Sequence, residues 1–357
     1  MIKQMDYANL GKTPDADAMK KAKRKWDAIA KPLNGLGKLE ELFVRIAGIQ
    51  GSADVRIKKR AVLVFCGDNG VTKQGVTQTD SHVTALVADN IAEGKASVNR
   101  MCSRCNTDVF AVDVGIKDSA HSQNIIRERI ANGTKDFTTE PAMSAEQTEQ
   151  AIQTGIRMVK RFLDEGYTIL ATGEMGIGNT TTSSAVAAAL LRMDAETVTG
   201  RGAGLSTEGL LHKRTVIANA LTKYGFNGQE PPDAFKVLCT VGGFDIAAIA
   251  GAFIGGAIYG VPIVIDGLIS AVGALVAARL CPASREVMIP SHMSKEPCTV
   301  KIMEELRLSP IIHGELALGE GTGAALLFPM LDMAEAVYRN DETFEKLAIS
   351  AYQCFED

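Results

Sequence analysis

Two kinds of hydrophobic run alternate along this chain. Some apolar positions recur at three- and four-residue spacing, and others form short continuous blocks ended by glycine and an acidic residue. The first pattern predicts amphipathic helices and the second predicts strands covered on both faces. A helix is expected over 14–31, with Thr13 as N-cap, Pro14 at the first helical position and Asp15 and Asp17 in the first turn. A second is expected over 39–51. The block 61–66 then reads as a strand running into Gly67-Asp68-Asn69-Gly70, with a helix over 81–101 and another strand over 108–114 behind it. Ser144 and Gln147 make a capping box for a helix reaching about 165.

The same unit is expected to recur three times. TILAT (168–172) runs into a glycine loop and a helix, KVLCTV (236–241) runs into Gly242-Gly243-Phe244-Asp245 and a helix, and PIVID (262–266) runs into Gly267 and a helix. Buried strands alternating with helices predict a parallel sheet covered on both faces, with ligands held at the carboxyl ends of its strands. Asp68, Glu174, Asp245 and Asp266 are all expected at that edge. After about 291 the text returns to helices, notably 324–339 and 343–353. This suggests a division into an α/β domain over 56–299 and a small helical domain formed by both termini, 1–55 with 300–357.

One segment imitates a membrane span. Ile246 to Ile265 carries no charge over 20 residues and repeats glycine at four-residue spacing. Gly260 and Pro262 break it, and acids flank it, so it reads as a buried helix lying tightly on a sheet and followed by a central strand.

Composition narrows the function. Net charge is only -4 and aromatic residues make up 5%, which leaves neither a basic footprint for nucleic acid nor a stacking platform for bases, and no anionic-membrane partner. The N-terminal stretch holds no apolar core of signal-peptide length, so a cytoplasmic protein is expected. Seven scattered cysteines read as reduced thiols; Cys102 and Cys105 form a CxxC with no second pair to complete a zinc set, and no metal or cofactor is expected.

Three glycine-rich segments carry the chemistry. GEMGIGNTTT at 173–182 and GRGAG at 200–204 suit a phosphate, with Lys213 on the following helix as a neutralising cation. GEGTGA at 319–324 sets an acid, Glu320, between glycines at a helix start. It formally fits a dinucleotide fingerprint, which makes an NAD-dependent oxidoreductase a rival class, but only 33 residues follow and they read as helices.

The chain resembles the nicotinate-nucleotide:dimethylbenzimidazole phosphoribosyltransferase family, which makes the lower-ligand nucleotide of cobalamin. The matching segments are KPLNGLGKLEEL at 31, FCGDNGV at 65, GVTQTDSHVTALV at 75, GEMGIGNTT at 173, GRGAGL at 200, VGGFDIAAIAG at 241, DGLISAVGAL at 266, SHMSKEP at 291 and LGEGTGAAL at 318. The resemblance implies a Rossmann-like sheet, a small helical domain from both termini, and a dimer of like chains or with a paralogue. It implies Glu320 as general base with Glu174 beside the reacting sugar. Gly176, Ile177, Gly178, Asn179, Gly202, Ala203, Gly204, Lys213, Asp245 and Ser291 would surround the ribose phosphate, and Asp68, Asn69, His82, Met175 and Leu318 the aromatic base.

The sequence departs from the family pattern at Asn69 (commonly His), His82 (Glu), Met293 (Arg) and Cys298-Thr299 (Gly-His), which opens the identity of the base. The expected substrates are nicotinate mononucleotide and a benzimidazole or related base. The alternatives are activation of a phenolic base within a paralogous heterodimer and, less favoured, a non-catalytic subunit.

Overall fold

The computed structural model describes residues 5–228, 230–340 and 342–352. The apolar blocks pair into one parallel sheet of β1 (Arg60–Gly67), β2 (Asp108–Gly115), β3 (Ile126–Arg127), β4 (Ile169–Met175), β5 (Ile263–Ile265) and β6 (Met288–Pro290), ordered β3-β2-β1-β4-β5-β6. Every residue of β1 is buried, as expected of a strand with helices on both faces. From β1 the chain builds outward through β2 and β3, then returns to place β4 on the other side of β1. The crevice at that reversal opens at the carboxyl ends of β1 and β4, where Phe65 pairs with Glu174 and Cys66 with Met175.

Several expected elements differ. KVLCTV is part of a helix, Ala234–Val241, because Asp233 caps it by accepting from the Lys236 amide at 2.7 Å. A six-residue apolar run has no period long enough to tell strand from buried helix. Asp245 consequently sits in the first turn of the next helix, Phe244–Tyr259, and not at a strand end. The helix expected over 81–101 is two, His82–Ala92 and Ser97–Cys102, parted near Gly94 at φ +74°. The first helix starts at Ala16, with Asp15 accepting from the Asp17 and Ala18 amides at 2.9 Å, so Thr13 caps nothing and Pro14 precedes the cap. From Thr343 to Tyr352 the chain makes turns instead of a helix, and Gln353 lies outside the described residues.

The uncharged segment is a buried helix and a strand, with β5 one place in from the sheet edge. Its small residues serve a helix partner: with no Cβ on Gly251, the Ile152 carbonyl of helix Ala145–Asp164 fills that space. Among the described residues no helix is long and apolar enough to cross a membrane.

Helices Ala16–Ala28, Lys38–Gln50 and Thr322–Tyr338 meet at Trp26, Phe43 and Tyr338, whose ring centroids lie 5.0–5.7 Å apart and which are fully buried. Each such ring removes enough surface from water to contribute about 2–3 kcal/mol. Arg60 of β1 clamps helix Thr322–Tyr338 through both carboxylate oxygens of Asp332, at 2.9 and 2.6 Å. Lys58 reaches Asp332 and Glu335, and Arg339 reaches Glu335 and Asp54.

Candidate active site

A cleft of about 220 Å³ opens at the β1/β4 crevice. Its floor begins where β4 delivers Glu174 and Met175 to the loop before helix Asn179–Leu191. Asn179, the first residue of that helix, donates its side-chain amide both to Glu174 and, at 3.2 Å, to Asp245 Oδ2. Two buried carboxyls thus share one neutral donor. Burial pushes Glu174 well above the ordinary carboxylate range, and the charge of Asp245 adds to it. Burial likewise lifts Asp245 to about 7, against the pull of the Ile246 amide. A site of this kind favours a ligand that brings positive charge.

Over this floor runs the turn Gly319-Glu320-Gly321, all three residues left-handed, at φ +85°, +59° and +88°. For glutamate that conformation costs about 1–2 kcal/mol. Asp266 holds it by accepting from the Gly321 amide at 3.1 Å and the Ala324 amide at 3.0 Å, so this acid is tied to the start of helix Thr322–Tyr338. Glycine is required at 319, because a Cβ there would overlap the Glu174 carboxyl. The Glu320 carboxyl is partly buried and its Oε2 has no hydrogen-bond partner. Burial raises its pKa, the Val98 amide opposes this, and the charge of Asp266 reinforces it.

The other end of the cleft has a buried cation behind its wall, with the Glu296 carboxylate beside it. Lys213 on helix Thr207–Tyr224 is fully buried beneath the Gly200–Gly204 loop, and Nζ donates to Thr180 Oγ1 at 2.8 Å and the Gly200 carbonyl at 3.4 Å. Burial lowers its pKa to about 8, against the opposing charge of Glu296. Glu296 accepts from the Gly202 amide at 3.1 Å while its Oε2 is unpartnered.

Of the sequence-predicted residues, Glu174, Met175, Gly176, Ile177, Asn179, Gly202, Ala203, Leu318 and Glu320 line this cleft. Asp245 and Lys213 reach it through Asn179 and Thr180. Not every loop amide is free: that of Ile177 donates to Thr84 and that of Gly204 to Arg201. Gly178 packs on Asn69, whose side chain braces the loop from below through the Ile177 carbonyl. Asp68 and Asn69 line a separate cavity of about 320 Å³; Asp68 accepts from Thr84 Oγ1 at 2.6 Å and the Lys117 amide at 2.8 Å, and burial lifts it to about 6. His82 is exposed and outside the cleft lining, and Ser291 is buried, donating to the Ile265 carbonyl at 2.6 Å.

Thr180, from the threonine run expected at a phosphate, also lines the cleft, and the site holds residues not singled out from the sequence: His292, Ser294, Glu296 and Thr322. His292, Ser294 and Glu296 follow β6, whose three residues are too short to announce a strand, so the polar run behind it did not read as a strand end. Among the described residues, no group of three or more His, Cys, Asp or Glu could hold a metal ion.

The phosphoribosyltransferase family model matches residues 12–349. The nicotinate-nucleotide–dimethylbenzimidazole phosphoribosyltransferase of Ruminiclostridium cellulolyticum is 42% identical over 340 residues, covering 95% of this chain and 96% of that protein. The chain belongs to this family. The enzyme of the same name from Chloroflexus aurantiacus is 40% identical over 94% of this chain and 95% of its own. Among solved structures, CobT from Thermus thermophilus superimposes with a TM-score of 0.87 at 35% identity, covering 94% of this chain and 99% of that one. The family's fold is therefore the parallel α/β architecture described above, and its enzyme class is phosphoribosyl transfer. Membership also disposes of the dinucleotide reading of GEGTGA, whose glycines here shape a helix start after the sheet is complete.

Proposed function

We propose that this chain transfers the phosphoribosyl group of nicotinate mononucleotide to an aromatic base of the dimethylbenzimidazole type, releasing nicotinate within cobamide biosynthesis. The observation that carries this reading is the polarity of the cleft: uncompensated buried carboxyls at one end and a buried lysine under a glycine loop at the other. That polarity matches a donor whose phosphate is anionic and whose ring and anomeric carbon are cationic. In the reaction the base nitrogen forms a bond to C1′ while the C1′–pyridinium bond breaks. Its electron pair returns to the pyridine ring, which leaves neutral, so no acid is required there. The attacking ring becomes cationic unless its N–H proton is removed, and Glu320 takes that proton. Glu174, with Asp245 behind it, favours the positive charge spreading over the sugar.

Lys213, Thr180 and the Gly200–Gly204 loop take the phosphate, in place of the Glu296 carboxylate on the Gly202 amide. Met175 and Leu318 supply apolar wall for the base. A cytoplasmic dimer, of like chains or with a paralogue, and a helical unit drawn from both termini complete this reading.

The test is turnover of purified protein with nicotinate mononucleotide against benzimidazoles, phenols and purines, read by mass spectrometry, with nicotinate riboside and Lys213→Ala as the phosphate controls. Ribosyl-phosphate adducts of benzimidazoles are expected. Lys213→Ala should lower kcat/KM about 10- to 100-fold, the range for a lost charged hydrogen bond. Absence of any adduct, or equal use of the riboside, overturns the reading.

A further inference from the structure

Segment Ser291–Glu296 spans the cleft. At one end His292 lies against the first turn of helix Thr322–Tyr338, so closely that a Cβ on Gly323 would overlap its ring. At the other, Glu296 sits on the Gly202 amide. A phosphoribosyl group with its phosphate toward Lys213 and its C1′ toward Glu320 therefore lies along this segment.

The hydrogen bonds fix the tautomer of His292. Ser291 Oγ spends its proton on the Ile265 carbonyl at 2.6 Å and lies 3.1 Å from His292 Nδ1, so Nδ1 carries the hydrogen and donates it to Oγ. Nε2 is then an unprotonated acceptor. It lies 3.9 Å from where a Cβ on Gly267, another cleft-lining residue, would stand. Burial lowers the pKa of the ring, against the pull of Asp266, which keeps the imidazole neutral. A buried neutral acceptor that lines a cleft asks for a ligand donor. The incoming base's N–H is already served by Glu320, and the donor next to C1′ on the sugar is the 2′-hydroxyl.

We infer that His292 is a specificity-determining residue of this site, its Nε2 accepting from the ribosyl 2′-hydroxyl so that the cleft selects ribosyl over 2′-deoxyribosyl donors. The inference rests on the function proposed above. Its test compares kcat/KM for nicotinate mononucleotide and its 2′-deoxy analogue, with one base, in wild type, His292→Phe and His292→Gln. Taking the ratio between variants cancels the greater intrinsic lability of the deoxy bond.

His292→Phe keeps the ring and removes the acceptor, so the ribosyl preference should shrink about 10- to 100-fold, with the loss confined to the ribosyl substrate. His292→Gln, which offers an oxygen at the reach of Nε2, should restore at least half of that factor on a logarithmic scale. Equal losses on both substrates would mark a packing role and overturn the inference, as would failure of glutamine to restore the preference. A measurement without variants stands behind these: wild-type protein should bind ribose 5-phosphate at least tenfold more tightly than 2-deoxyribose 5-phosphate by calorimetry, and equal affinities overturn the inference. A wild-type protein that makes no adduct from nicotinate mononucleotide with any base instead defeats the proposed function.

Discussion

Two acidic clusters in this molecule are treated in opposite ways. At the join between β1 and the C-terminal helix, Asp332 and Glu335 are surrounded by Arg60, Lys58 and Arg339. Burial alone would raise Asp332, but Arg60 and Lys58 together bring it below its ordinary value. In the cleft, the buried Glu174 and Asp245 share the side-chain amide of Asn179, Asp245 accepts in addition from the Ile246 amide at 2.9 Å, and among the described residues no lysine or arginine forms an ion pair with either. The first arrangement has settled its charge within the protein and holds two elements together. The second leaves the charge unsettled, which is tolerable only where a cationic ligand will arrive. An acid's burial therefore does not identify a site; what is paired with the acid decides whether it can serve a ligand.

Removing the base that lies over the unsettled cluster should have the largest effect. Glu320→Gln keeps shape and much hydrogen bonding while removing basicity, so kcat should fall about 10²- to 10⁴-fold with the fold intact by circular dichroism. Wild-type kcat/KM should rise on the acid side through one ionisation above the usual glutamate range, because burial raises this carboxyl. The mutant's residual activity should lack that limb. A near-normal kcat at saturating substrate would shift the role to Glu174.

Breaking the settled cluster should affect stability without touching chemistry. Asp332→Ala strands the Arg60 guanidinium, which is 3% exposed, but Asp332 itself is 30% exposed, so water softens the loss. Urea denaturation should show about 2–3 kcal/mol of destabilisation, with kcat unchanged. A variant as stable as wild type would show that the clamp contributes nothing beyond packing.

The smallest effect concerns pH. Asp68, Glu174 and Asp245 all have folded pKa values raised above their unfolded ones, chiefly by burial. The stability this contributes is complete below about pH 4. It is lost as pH rises through the folded values, about 6 for Asp68 and about 7 for Asp245. The unliganded protein should thus lose melting temperature between about pH 4 and 7. Glu174→Gln should flatten that decline, because its buried carboxyl no longer titrates. A decline of equal slope in wild type and mutant would mean that Glu174 is ionised and stabilised by something other than Asn179.

Much of this was legible in the sequence. Continuous apolar blocks bounded by Gly and Asp located β1, β2, β4 and β5, and glycine on both sides of Glu320 marked the turn that carries it. The capping box at Ser144 and Gln147 holds in both directions, at 3.1 and 3.0 Å. What failed was whatever depended on length or on distant partners. KVLCTV gave no period to read, and the cap that decides it is Asp233, just upstream of the run. β6 is three residues long, so His292 and Glu296 behind it carried no local sign of lying against Gly323 and Gly202. Asp266 looked like a member of the acidic rim and turned out to serve the helix start just after Glu320. No local pattern separates a carboxylate that caps from one that waits for a ligand.

The helix Phe244–Tyr259 has one more consequence, for the chain as it leaves the ribosome. Together with the strand behind it, this segment presents 20 uncharged residues to the solvent before it is folded, a stretch prone to sticking to other chains. Its docking partner, helix Ala145–Asp164, and the strands β1, β2 and β4 have all been synthesised by then. The segment therefore follows its main docking partner in order of synthesis, whereas the helix Leu268–Leu280 that covers it further comes only afterwards. A circular permutant that began synthesis between the two helices would reverse that order, exposing the uncharged run to aggregation while its receiving surface was still unmade.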